Sequence, residues 1–305
     1  MDNNHSHKDV KKKLGLSILL NLLITCVQAI GGLVSGSLSL ITDALHNLTD
    51  TFSLVTSFIA LKLSDKENTE LRTFGYKRAE ILAALLNASL LIVVSFFLFK
   101  EAVFRFFHPV PINSGFVIVI ATLGLVANSL CAFLLKSHSH DNMNIRSAFV
   151  HLLSDALVSV AVIIGAICMY FFGLFWVDSV LTLVIGLYVI REGYVIVMDA
   201  VHILMQNVPK GIVLKDIQKD IEKIMGVKDI HHAHVWCVTV EDVHFEAHIN
   251  TVSDIKLSES CVIKAGIEKV LKEKYSINHA TLQFEYDSCQ GVSLVKNKGI
   301  ENEVH

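Results

Sequence analysis

Charge and proline are both scarce in this chain. Lys, Arg, Asp and Glu make up 18% of its 305 residues, and there are three prolines. Soluble globular chains run near a quarter charged, so a water-soluble enzyme is disfavoured from the outset. So few prolines, with only sixteen glycines, exclude a collagenous or low-complexity chain. The six cysteines never form C-x-x-C, which removes zinc-ribbon and redox motifs, and H-E-x-x-H is also missing. A net charge of −3 leaves no basic footprint for nucleic acid.

What is present is apolar. Hydrophobic residues make up 52% of the chain, and the mean hydropathy is +0.54. Of the 55 charged residues, 27 lie in the last 97 positions. That distribution predicts a lipid-soluble body with a water-soluble tail. Apolar stretches bounded by charges or turn residues fall at 14–34, 38–61, 79–99, 113–135, 148–172 and 176–197. Each approaches the ~20 residues a helix needs to cross hydrocarbon. The first lacks a small-residue cleavage pattern and is followed at once by another, so it reads as a span rather than a signal peptide.

Six spans put both termini on one side. Lys8, Lys11, Lys12 and Lys13 precede the first span, and Lys62, Lys66, Arg72, Lys77 and Arg78 fill the second loop. Lys136 and Arg146 flank the fourth loop, while the opposite loops hold only Lys100 and Arg105. The positive-inside rule then makes both ends cytoplasmic. The expected organisation is a tail at 1–13, a six-span domain at 14–208, a cytoplasmic domain at 209–290 and a flexible end at 291–305. Residues 212–225 and 257–274 have helical spacing, and 230–240, 243–252 and 280–286 read as strands. This α-β-β-α-β order suits an α+β domain with helices on one face of a short sheet.

Ionisable groups inside spans are costly and usually mark function. The second span reads ITDALHNLTD and the fifth FVHLLSD, giving His46 with Asp50 and His151 with Asp155. A spacing of four puts both side chains of a pair on one helix face. Two such helices facing each other would present two imidazoles and two carboxylates, a tetrahedral set suited to Zn²⁺. Imidazole ligands disfavour Mg²⁺ and Ca²⁺, which prefer oxygen shells. The competing reading is two self-satisfied His–Asp hydrogen bonds; their duplication argues for a site. Asp43, Glu80, Asn21, Gln28, Asn87 and Asn128 are further polar groups in the spans, suited to a hydrated path or to interhelical hydrogen bonds.

The stretches TDALHNLTD, FGYKRAEILAALLN, HLLSDALVSV and HHAHVW together resemble the cation diffusion facilitator family, particularly its zinc-exporting branch. The resemblance implies six transmembrane helices, a cytoplasmic metallochaperone-like (ferredoxin-like) α+β domain and a homodimer in a bacterial plasma membrane. It also implies export of cytosolic Zn²⁺, with Cd²⁺ or Co²⁺ as alternative cargo, in exchange for protons and without a prosthetic group. His46, Asp50, His151 and Asp155 match the family's transport site, and His at the first position is associated there with zinc over cadmium.

In the tail, His231, His248 and Glu285 match positions that bind regulatory zinc, with His279 a neighbour and Cys261 and Gln283 at ligand-like positions. Strict alternation would put His231, Val235 and Cys237 on one sheet face with His244, Glu246 and His248, and would turn His232, His234 and Trp236 away. Two departures stand out. The fourth loop has only His138 and His140 where relatives have a His-rich segment, and His5 and His7 are equally sparse. Lys77 is present for the family's charged dimer interlock, but Gln206 occupies the acidic partner's place, leaving Asp199 as a substitute. A metal sensor merely anchored in the membrane, or a metal-dependent membrane enzyme, are the alternative readings. A four-ligand set leaves no open position for an activated water, which weighs against the enzyme.

Overall fold

The computed structural model describes residues 3–64, 69–136, 143–240, 242–288 and 293–295, which form eight helices and three strands. Six long helices come first: α1 (Asn3–Ser35), α2 (Leu38–Ser64), α3 (Ala79–Phe107), α4 (Ser114–Lys136), α5 (Met143–Phe172) and α6 (Trp176–Leu204). Four apolar stretches among the described residues are long enough to cross a bilayer: Ala79–Phe107, Ser114–Phe133, Leu152–Phe172 and Trp176–Leu204. Helix α1 contributes a shorter one, Leu19–Ser35, and begins well before residue 14. Helix α2 carries the polar residues Thr42, Asp43, His46 and Asn47, all of them buried. Bulky side chains such as Leu86, Phe97, Phe133, Phe171 and Leu187 face outward, as lipid-facing positions must where hydrocarbon replaces water.

The chain packs as two compact units, Met1–Lys62 with Ala83–Val197, and Leu63–Leu82 with Met198–His305. In the first, α4 packs against α5 and α1, and Val117, Ala121, Val162, Ala166 and Met169 form much of the core. The α1–α2 turn passes through Gly36 at φ +76°, a left-handed conformation that glycine adopts without a Cβ penalty. The start of α2 is capped from α6. Asp178 accepts from the Ser37 hydroxyl at 2.6 Å, the Leu38 amide at 2.8 Å, the Ser39 amide at 3.3 Å and the Ser39 hydroxyl at 2.5 Å. Those amides are donors that a helix leaves unsatisfied at its first turn.

The second unit holds α7 (Leu214–Ile221), β1 (Val227–Cys237), β2 (Val243–Thr251), α8 (Leu257–Tyr275) and β3 (His279–Tyr286). The sheet order is β1-β2-β3, with β1 antiparallel and β3 parallel to β2. A parallel neighbour needs a crossover, and α8 supplies it. Ile217, Ile221, Ile263, Ile267 and Leu271 from the helices bury Ile230, Val235, Phe245, Ala247 and Ile249 of the sheet. The helices therefore cover one face only.

Strict alternation fails on β1. Val235 pairs with Phe245 and Cys237 with Val243, so both point into the core, opposite to the sequence expectation. His234, paired with Glu246, and Trp236, paired with His244, lie on the face away from the helices. The cause is a bulge between His231 and His234, where His232 has φ +48°. One extra residue reverses the parity of everything beyond it. It also releases the Ala233 amide from β2, and that amide donates to the Leu294 carbonyl at 2.8 Å. Part of the expected flexible end is thus held on the sheet.

Candidate metal centres

The first centre lies among the long helices. His46 on α2 and Asp155 on α5 are both buried, and His46 Nε2 is 3.8 Å from Asp155 Oδ1. Members of the two His–Asp pairs thus meet from separate helices. Their companions Asp50 and His151 belong to the same helices, but their side chains lie outside the described residues. Tyr188 of α6 presents its ring edge-on to His46, with centroids 5.7 Å apart. One turn before His46, Asp43 accepts from Gln28 Nε2 at 2.7 Å, and Asn47 Nδ2 donates to Gln28 Oε1 at 3.2 Å. This ladder ties α1 to α2 with buried polar groups. Asn87 donates to the Thr49 carbonyl at 3.3 Å, Asn128 is buried on α4, and Asn21 is half-buried on α1. Glu80 is exposed in the first turn of α3.

The second centre lies on the helix-free face of the tail sheet. His231 pairs in register with His248, and β3 brings Glu285 beside them. Glu285 Oε2 is 3.3 Å from His231 Nε2, and Oε1 is 2.8 Å from His248 Nδ1. His231 Nε2, His248 Nδ1 and Glu285 Oε2 are buried without a hydrogen-bond partner among the described residues. Buried acceptors facing one another in this way fit a divalent cation, which would satisfy their lone pairs together. On its other side, His231 Nδ1 lies 3.2 Å from Asp229 Oδ1, and Asn250 Nδ2 holds both Asp229 oxygens at 3.3 and 3.2 Å. A carboxylate on the far nitrogen fixes the tautomer that leaves Nε2 free to ligate.

The other expected tail residues separate. His279 sits at the start of β3 opposite His244, with ring centroids 4.5 Å apart, and not with His248, whose register partner is Gln283. Gln283 donates to Glu285 Oε1 at 2.8 Å. Cys261 is exposed on α8 and its thiol faces the Leu257 carbonyl of its own helix. His138 and His140 lie outside the described residues, as do the side chains of His5 and His7. Asp199, the acidic substitute, does not pair with Lys77 within the chain. The Lys77 ammonium is 2.6 Å from Asp242 Oδ2, while Asp199 pairs with Lys210 at 2.5 Å. Residues missed from the sequence are His232, Asp229 and Asn250. Only the His231–His232 doublet hinted at the first, since a bulge leaves no periodic signal.

Around Asp242 the tail holds a third polar group. His244 Nε2 lies 3.4 Å from Asp242 Oδ1, its ring stacks on Trp236 at 5.4 Å, and Phe74 meets it edge-on at 5.6 Å. Burial, with smaller contributions from His279 and Lys77, pushes the His244 imidazole below its ordinary value despite Asp242. Burial raises Asp242, but the Lys77 ammonium and, after it, His244 together hold the carboxyl below the usual range.

The family model described as the cation efflux transmembrane domain matches residues 14–205, and that of the cation efflux protein cytoplasmic domain matches residues 209–287. Among curated relatives, a cadmium, cobalt and zinc/H(+)-K(+) antiporter of Bacillus subtilis is 37% identical, over 94% of this chain and 93% of the relative. The metal cation efflux system protein CzcD of Cupriavidus metallidurans is 33% identical over 95% and 92%. The zinc transporter ZitB of Escherichia coli is 34% identical over 92% and 88%.

Proposed function

This chain belongs to the cation efflux family, and on that premise we propose that it is a secondary transporter that exports Zn²⁺ from the cytosol in exchange for protons. It is a transporter and not an enzyme. In this reading α1 to α6 all cross the membrane, both termini are cytoplasmic, and two copies pair through their tails in a symmetric dimer. His46, Asp50, His151 and Asp155 form the transport site, which opens alternately to the two sides. The 3.8 Å approach of His46 to Asp155 carries the assignment, because it joins one member of each pair across two helices. Cobalt and cadmium, in the names of relatives, are accommodated by the same ligand chemistry.

Proton coupling follows from the ligands. Metal needs deprotonated imidazole and carboxylate, so protons compete for the same atoms. A free imidazole titrates near pH 6.5, within reach of both compartments. Outward movement of two positive charges opposes a membrane potential at about 2.3 kcal/mol per charge per 100 mV, and counter-moving protons reduce that cost. The tail cluster of His231, His248 and Glu285 serves as a regulatory zinc site. Zinc bound there stabilises the conformation that binds it best and no further.

The test is flux. In proteoliposomes with an entrapped zinc dye, His46→Ala and Asp155→Ala each lose nearly all zinc flux while still inserting. Wild-type flux in either variant removes the ligand assignment. No flux in the parent chain favours the membrane-anchored sensor instead.

A further inference from the structure

The β1 bulge does more than reverse strand parity. In the left-handed conformation at φ +48°, the His232 side chain is turned toward a face that regular alternation denies it. Its ring lies 4.9 Å from His248 and 5.3 Å from His231, centroid to centroid. Each of these three histidines offers a nitrogen, and all three nitrogens lie within 4.8 Å of one another. In a tetrahedral zinc site with bonds near 2.0–2.1 Å, neighbouring ligand atoms stand about 3.4 Å apart. Glu285 Oε2 already stands 3.3 Å from His231 Nε2.

We propose that His232 is a fourth ligand of the tail site, which makes that site a three-histidine, one-carboxylate zinc centre complete within one chain. The inference rests on the tail cluster being a metal site, as read above. Four protein ligands close the coordination sphere, which suits a structural or regulatory ion and leaves no position for an exchanging water. The bulge then has a purpose. A non-glycine residue in the left-handed region is strained and persists where its surroundings require it. Here the metal is the requirement, and the Ala233 amide is compensated by Leu294. Asp229 and Asn250 hold His231 still while His232 completes the set.

The experiment uses the full-length chain carrying Asp155→Ala, so that the membrane site does not contribute, with Co²⁺ as a spectroscopic probe and Zn²⁺ in competition. The parent gives the intense visible absorption of four-coordinate cobalt. His232→Gly keeps the left-handed backbone and removes the ring. It is expected to shift cobalt to the weak absorption of higher coordination and to lower zinc affinity by at least roughly tenfold, the scale seen for losing even an outer-shell partner. His232→Asn, which tolerates the same backbone, behaves alike and guards against misfolding. Unchanged absorption and affinity in both variants overturn His232 as a ligand while leaving the tail site intact. A parent that binds cobalt with only the weak absorption of higher coordination likewise overturns His232 as a ligand, whereas a parent that binds no cobalt overturns the tail site itself, and this inference falls with it.

Discussion

Asp178 is a single carboxylate that satisfies two backbone amides and two hydroxyls at the start of another helix. Removing a helix cap costs about 0.5–2 kcal/mol, and stranding a buried donor costs about 1–3 kcal/mol. Asp178→Ala is therefore expected to lower stability by roughly 2–4 kcal/mol, and Asp178→Asn by less, because the amide oxygen still accepts. Thermal unfolding of the detergent-solubilised chain measures this, and an unchanged melting temperature in Asp178→Ala would contradict it. In the tail, Asp220 accepts from Lys223, Lys274 and the Tyr275 hydroxyl, which hold its carboxyl well below the usual range. Burial, followed by this hydrogen bond to Asp220, pushes Tyr275 up to about 12. Since the folded value is raised, the stabilisation is complete below the ordinary tyrosine value of 10.0 and disappears as pH rises through about 12. Tyrosinate absorbance should show a late-titrating component that Tyr275→Phe deletes.

At the scale of elements, two glycines in helices predict opposite outcomes for one substitution. A Cβ at Gly124 on α4 would stand 2.6 Å from Gln28 Nε2, the group that donates to Asp43. Overpacking there costs about 1–3 kcal/mol, and Gly124→Ala also displaces Gln28 from its carboxylate. Nothing lies within 4 Å of a Cβ at Gly186 on α6, so Gly186→Ala gains roughly 0.5–1 kcal/mol of helix propensity. Melting temperatures that move the same way in both variants would refute the contrast. The elements themselves were legible in the sequence. Long apolar runs marked the helices, and the α-β-β-α-β order of the tail followed from periodicity. The face assignments on β1 were not legible. His231 reached its expected partner because it precedes the bulge, whereas Val235 and Cys237 follow it and turned to the core. His279 was legible as a tail histidine but not as His244's neighbour, since parallel register depends on where the crossover returns.

For the molecule as a whole, the boundary between packed units is not a boundary in the sequence. The α2–α3 connection, with Phe74 and Lys77, packs as part of the tail unit. His244 lies at this junction, faced by Asp242 and His279 from the sheet and by Lys77 from the connection. Because its folded value is depressed below the ordinary 6.5, the stability it contributes is present above 6.5 and declines as pH falls through the folded value. Trp236, stacked on the imidazole, reports the event, since an imidazolium quenches indole fluorescence. In a Trp176→Phe background, quenching should have its midpoint below 6.5, and Lys77→Ala should raise that midpoint by removing a neighbouring cation. A midpoint insensitive to Lys77→Ala would dissociate the two groups.

The same junction bears on how the tail behaves as a fragment. Severed at residue 209, it keeps the sheet, α7 and α8 but loses Phe74 from beside His244 and the ammonium that neutralises Asp242. His244 then loses the ring that meets it edge-on, beside a carboxylate stripped of its ammonium. Excision thus removes contacts that the intact chain makes, so association measured on an isolated tail is to be compared with that of the full-length chain.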